Sequence, residues 1–245
     1  MLDSLRFAWW VTAWLRGDAS TDDVLDGVIG ADATHVVLGL PELGLGGEPG
    51  VAQSLVGGLG RLRVEGGTGA GLAVPAYGDP VGLGGPPEFN TAALEAGQAV
   101  VTDAGLGLVP IRVGAVIEWH CLPAWRRAVP DVGEADRGLR AALRDSATAL
   151  AELDVARWRP EAADRLINLR HAPALPQVPG IPPRCVELAA RGSQAAEIVE
   201  VALEDDGAAI SAGEIERRRQ ALVPLDRAVR RALSAAGSPE AWPPG

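Results

Sequence analysis

Residues 109–121 alternate without a break. Val109, Ile111, Val113, Ala115, Ile117, Trp119 and Cys121 take the odd positions, and Pro110, Arg112, Gly114, Val116, Glu118 and His120 the even ones. A period of two belongs to a pleated strand, whose side chains point to opposite faces in turn. The segment predicts one half-buried strand and commits the chain to a sheet. Asp103-Ala104-Gly105 ahead of it is turn chemistry, which predicts an antiparallel partner at 98–102. Two further apolar runs, 35–40 and 71–74, each stop at a proline, Pro41 and Pro75. A helical stretch at 51–63 separates them, an order that permits a parallel pair joined by a crossover. A weaker helix follows at 90–99.

The rest of the pattern is helical. Phe7, Trp10, Val11 and Trp14 recur at i, i+3, i+4 and i+7 over 4–16, with Trp9 and Ala13 widening the apolar surface. Ser20-Thr21-Asp22-Asp23 reads as a capping box for the next helix. Beyond Pro123 come an amphipathic helix over 134–156 and a shorter one begun by Pro160. Two long helices follow, over 184–205 and 212–236. They are expected to pair as an antiparallel hairpin across Asp205-Asp206-Gly207, with Ser211-Ala212-Gly213-Glu214 capping the second. Between them and the rest, Pro173, Pro176, Pro179 and Pro182 recur every third residue, as do Leu175, Val178 and Ile181. Polyproline II has three residues per turn, so the aliphatics form one edge, expected to lie buried against the protein's own core or against a partner. The class is α+β: a mixed sheet of four to five strands flanked by N-terminal helices and a C-terminal helical hairpin. The expected division is an α+β core over 1–172, a polyproline-II-like connector at 173–183 and the hairpin over 184–245.

Composition removes several functions. All 22 basic residues are Arg, so Schiff-base chemistry, pyridoxal phosphate anchoring and a P-loop lysine are excluded. A net charge of −10 argues against non-specific nucleic-acid binding. The run Arg217, Arg218, Arg219, Arg227, Arg230 and Arg231 reads as self-paired with acids of the preceding helix, Glu197 to Asp206. Two cysteines make no disulfide framework, and the N-terminal apolar run is too short for a membrane span. The expectation is a cytoplasmic protein that binds neither nucleic acid nor membrane.

Few residues carry chemistry. His35, His120, Cys121, His171 and Cys185 have no metal-ligand spacing, so no metal is expected, and no cofactor. Leu43-Gly44-Leu45-Gly46-Gly47-Glu48-Pro49 is echoed by Val81-Gly82-Leu83-Gly84-Gly85-Pro86-Pro87. A phosphate cradle needs backbone N–H groups, which these prolines lack. Glu118 and His120 project side by side from the alternating strand and suit an acid–base pair. A Gly- and Pro-rich loop at 77–90 is expected to fold over them. Asp79 and Glu88 would then join the chemistry, with Tyr77, Asn90 and Arg112 as ligand-binding residues. Two functions stand on this reading. One is a non-catalytic module that binds a protein partner or assembles with itself. The other is a metal-independent hydrolase or transferase acting on a small polar substrate.

Overall fold

The computed structural model describes residues 1–125, 127–152, 174–204 and 212–242. In chain order these hold α1 (Asp3–Arg16), α2 (Thr21–Ile29), β1 (Thr34–Leu38), β2 (Gln53–Ser54), α3 (Leu55–Val64), β3 (Ala70–Ala73), α4 (Pro87–Ala96), β4 (Ala99–Thr102), β5 (Leu106–Val113) and β6 (Val116–Pro123). The helices α5 (Val132–Glu152), α6 (Pro183–Glu204) and α7 (Ala212–Ala236) follow, and a 3-10 turn at Pro239–Ala241 comes last. The class is α+β, and the strands form one six-stranded mixed sheet in the order β2-β1-β6-β5-β4-β3.

The alternating stretch is a hairpin and not one strand. β5 and β6 pair antiparallel with Val113 opposite Val116, leaving Gly114 and Ala115 as a two-residue turn. Gly114 has φ +60°, a conformation that two-residue hairpin turns demand and that costs glycine nothing. A two-residue turn reverses the chain without disturbing the alternation, which is why the sequence hides it. Facing, however, changes: Val109, Ile111 and Val113 now share a side with Glu118 and His120, while Arg112 joins Ile117 and Trp119.

The parallel pair also differs from the expected one. β1 runs parallel to β6, with Val37 opposite Trp119, while β3 lies at the far edge, antiparallel to β4. The partner of β5 at 99–102 is where the turn chemistry puts it.

One face of the sheet, carrying Val37, Val100, Leu108, Ile117 and Trp119, packs on α1, α2 and α3 through Phe7, Val11, Val24, Leu55 and Leu59. Trp119 meets Phe7 with ring centroids 4.3 Å apart. The opposite side of α1 (Leu5, Trp9, Ala13) packs on a second core built from α5, α6 and α7. Layers on both sides explain why α1 is apolar almost all round. Val178 and Ile181 are buried in that second core, as the aliphatic edge predicts. Gly192, midway along α6, lies against Ala232 and Leu233 near the end of α7, so the two helices pack on each other. The capping box at Ser20 and Asp23 forms with both reciprocal hydrogen bonds. The expected helix at Pro160, the turn at 205–207 and the cap at Ser211 lie outside the described residues.

A third, smaller core lies on the other face of the sheet, where α4 sets Phe89 and Ala93 against Ala73, Ala99, Val101 and Val109. Phe89 closes on Gly107, where a Cβ would come within 2.3 Å of its ring. The edge strand β3 is sealed from both ends. Thr12 Oγ1 donates to the Ala70 carbonyl and accepts from the Ala70 N–H, and the Leu72 N–H donates to the Gly237 carbonyl at 3.0 Å. An edge so occupied offers no template for another strand.

Candidate functional site

Because α4 covers only the β3–β4–β5 end, the other half of that face is open. Val36 and Leu38 of β1, Ile111 and Val113 of β5, and Val116, Glu118 and His120 of β6 all stand on it, by register. Ile111 is 43% and Val113 52% exposed, and the other five are half-buried. His120 Nε2 lies 3.2 Å from Glu118 Oε2. Val36 stands opposite Glu118 and Leu38 opposite His120 on one flank, Ile111 and Val109 on the other. The result is an acid–imidazole pair set in an aliphatic surface.

The remaining predicted residues go elsewhere. Asp79 is buried and accepts from Arg230 at 3.0 Å, with Arg227 and Arg231 each 3.7 Å away. The loop holding it is therefore tied to α7. Among the described residues these three arginines thus converge on Asp79, with Arg230 also paired to Asp226 of its own helix. Asn90 Oδ1 accepts from the Gly85 N–H, fixing the start of α4. Glu88 is exposed in the first turn of that helix, and Tyr77 is 79% exposed. Arg112 faces the opposite side, donating to Asp32 at 2.8 Å and Asp3 at 3.2 Å. A Glu–His pair can pass a proton, but acid–base catalysis also needs groups that orient a substrate. Among the described residues no hydrogen bond or ion pair joins Asp79, Glu88, Asn90 or Arg112 to it.

Sequence reasoning missed a second constellation. Asp32 accepts from Arg6 (2.7 Å), Arg112 (2.8 Å) and His35 Nε2 (3.0 Å), while His35 Nδ1 accepts from Trp119 Nε1 (3.1 Å). His35 is 1% exposed. Burial pushes its pKa below the ordinary 6.5, with the Asp32 hydrogen bond opposing the shift. Partial burial raises Asp32, but the hydrogen bonds from Arg112, His35 and Arg6 outweigh it and hold the carboxyl far below the usual range. The network ties α1, the loop before β1 and the tip of the β5–β6 hairpin. Only the β1–β6 pairing brings these parts together, and no short motif announces it.

These layers, an α+β sheet with one half-open face and a C-terminal helical layer, define the class of protein. Residues 4–133 match the model for the N-terminal domain of the Rv1486c-like protein, and residues 133–234 match that for its C-terminal domain. The chain belongs to this Rv1486c-like family. Two curated relatives, uncharacterized proteins MT1533 and Rv1486c, come from two strains of Mycobacterium tuberculosis. Each is 32% identical over 187 residues, which cover 61% of this chain and 64% of the relative. The match thus spans under two thirds of the length of these relatives. No solved structure matches the chain. Among the described residues no helix is long and apolar enough to cross a membrane.

Proposed function

We propose that the protein is a non-catalytic assembly module that pairs with a second copy of itself through the open half of its sheet. The observation that carries this is the exposure of Ile111 and Val113 beside Val36, Leu38 and Val116. Apolar side chains gathered on one open sheet face are a feature of interaction surfaces. The Glu118–His120 pair favours a like partner. A two-fold axis passing between them sets each carboxylate against the other copy's imidazole, the self-complementarity that an isologous contact requires.

Size sets the strength. Three strands about 4.8 Å apart and five residues at about 3.3 Å each span roughly 240 Å² of sheet. Doubled for side-chain relief, that stays below the roughly 800 Å² per partner of a standard stable interface. The dimer is therefore weak and concentration-dependent. Analytical ultracentrifugation across a hundredfold concentration range tests it. The expected result is a monomer–dimer equilibrium that Ile111→Asn with Val113→Thr shifts to monomer, with an unchanged far-ultraviolet circular dichroism spectrum showing that the variant still folds. A wild-type chain that stays monomeric throughout, or a variant that dimerises equally well, overturns the proposal.

A further inference from the structure

A cavity of about 680 Å³ opens on the opposite end of the sheet, remote in the strand order from β1 and β6. Its walls come from Thr68 and Gly69 before β3, Asp103 in the β4–β5 turn, Arg16 at the end of α1, Arg127 after β6, and Glu240 in the last turn. The charged groups number two of each sign, Arg16 and Arg127 against Asp103 and Glu240.

Their commitments differ. Arg127, with 1% of its side chain exposed, spends Nη1 on the Leu72 and Gly82 carbonyls and Nη2 on Ser238 Oγ and Glu240. Its Nε is buried without a hydrogen-bond partner. Arg16 stacks its guanidinium 5.3 Å from the ring centroid of Trp242, and no carboxylate among the described residues pairs with it. Asp103 accepts from the Thr68 N–H on Oδ1 at 2.9 Å and on Oδ2 at 3.2 Å, and from Thr68 Oγ1 on Oδ2, which leaves a lone pair on Oδ1. So the cavity presents an unpaired guanidinium on one wall and an anchored carboxylate with spare acceptor capacity on another. The net charge of its lining is zero, which does not favour a simple anion or a simple cation.

We infer that this cavity binds a small zwitterion, with its carboxylate toward Arg16 and its ammonium toward Asp103. Volume narrows the class. At about 30 Å³ per water, the space holds roughly twenty water-sized groups. A free amino acid leaves most of that empty, and a free dipeptide fills it better. The volume also lies within the 300–1,000 Å³ or so usual for small-molecule sites.

The test uses the full chain, calorimetry and thermal melting, with a panel of free dipeptides as probes. Each is compared with its N-acetyl and its C-amide form. The expected result is a rise in melting temperature with at least one free dipeptide, and a tenfold or greater loss of affinity when either end is blocked. Arg16→Gln should remove the discrimination against the C-amide, and Asp103→Asn that against the N-acetyl form. Both variants keep their local hydrogen bonding possible, and their ligand-free melting temperatures report whether they fold. No binding by any free dipeptide overturns the inference. So does equal binding of the blocked forms, or wild-type discrimination in folded Arg16→Gln and Asp103→Asn.

Discussion

Trp119 and His35 hold each other in one chemical state: the indole N–H points at Nδ1 across 3.1 Å, so the imidazole must keep a lone pair there. The ring's other nitrogen then carries the hydrogen and donates it to Asp32. A proton added at Nδ1 would face the indole N–H donor-to-donor. Burial and this geometry act together to keep His35 neutral.

Acid should therefore loosen the fold in two windows. The unfolded chain takes up a proton on His35 near pH 6.5, while the folded one does not until lower pH. The stabilisation is whole above about pH 6.5 and is lost as pH falls toward the native value, with a slope of at most about 1.4 kcal/mol per pH unit. Asp32 adds a second loss below about pH 4, where its unfolded form is protonated first. Urea midpoints from about pH 8 to 4.5 should fall more steeply for the wild type than for His35→Gln. Parallel lines would mean that His35 does not supply the slope.

Arg127→Met should destabilise the chain by about 2–4 kcal/mol. The change strands the Gly82 carbonyl and removes the guanidinium bonds to the Leu72 carbonyl and to Ser238 Oγ, leaving those two groups only the bonds between Leu72 and Ser238. Glu240→Gln, at a half-exposed partner, should cost under about 1 kcal/mol. Chemical denaturation of both variants separates the hydrogen-bonding role of Arg127 from its ion pair.

Gly107→Ala should cost about 1–3 kcal/mol, because the new methyl overlaps the Phe89 ring. The loss should shrink when Phe89→Leu is added, a coupling that a double-mutant cycle measures directly. Additive costs would show that Gly107 is needed for some other reason.

Cys121 and Cys185 are both buried, and burial pushes their thiols up to about 12 and about 11. Neither offers thiolate near neutral pH. A thiol reagent at about pH 8 should label the native chain only as fast as the fold opens, and both residues at once in urea. A fast native-state reaction at either site would contradict its burial.

The local parts of this architecture were legible in the residues. The α1 stripe, the Ser20–Asp23 box, the β4–β5 turn and the aliphatic edge at Val178 and Ile181 all follow from nearest-neighbour chemistry, and so does the class. What was hidden is long-range. Gly114-Ala115 preserves the period of two while reversing the chain, so the hairpin passed for one strand and the six-stranded sheet for one of four to five. Pairing of β1 with β6 brings His35 within reach of Trp119, and only pairing could reveal it. Glu118 and His120 do meet, because they are two apart on one strand. Asp79 was drawn away by three arginines on α7, more than a hundred residues later in the chain.

The seal on β3 has a consequence for the order in which the protein is made. Leu72 waits for Gly237 and Ser238, and Trp9 for the carbonyl of Ala236. A nascent chain emerging from the ribosome reaches the N-terminal sheet early and its clasp late, so one flank stays unfastened for most of synthesis. Supplying residues 134–245 in trans to a chain stopped at residue 133 would show whether the two family-defined halves can be rejoined after the fact.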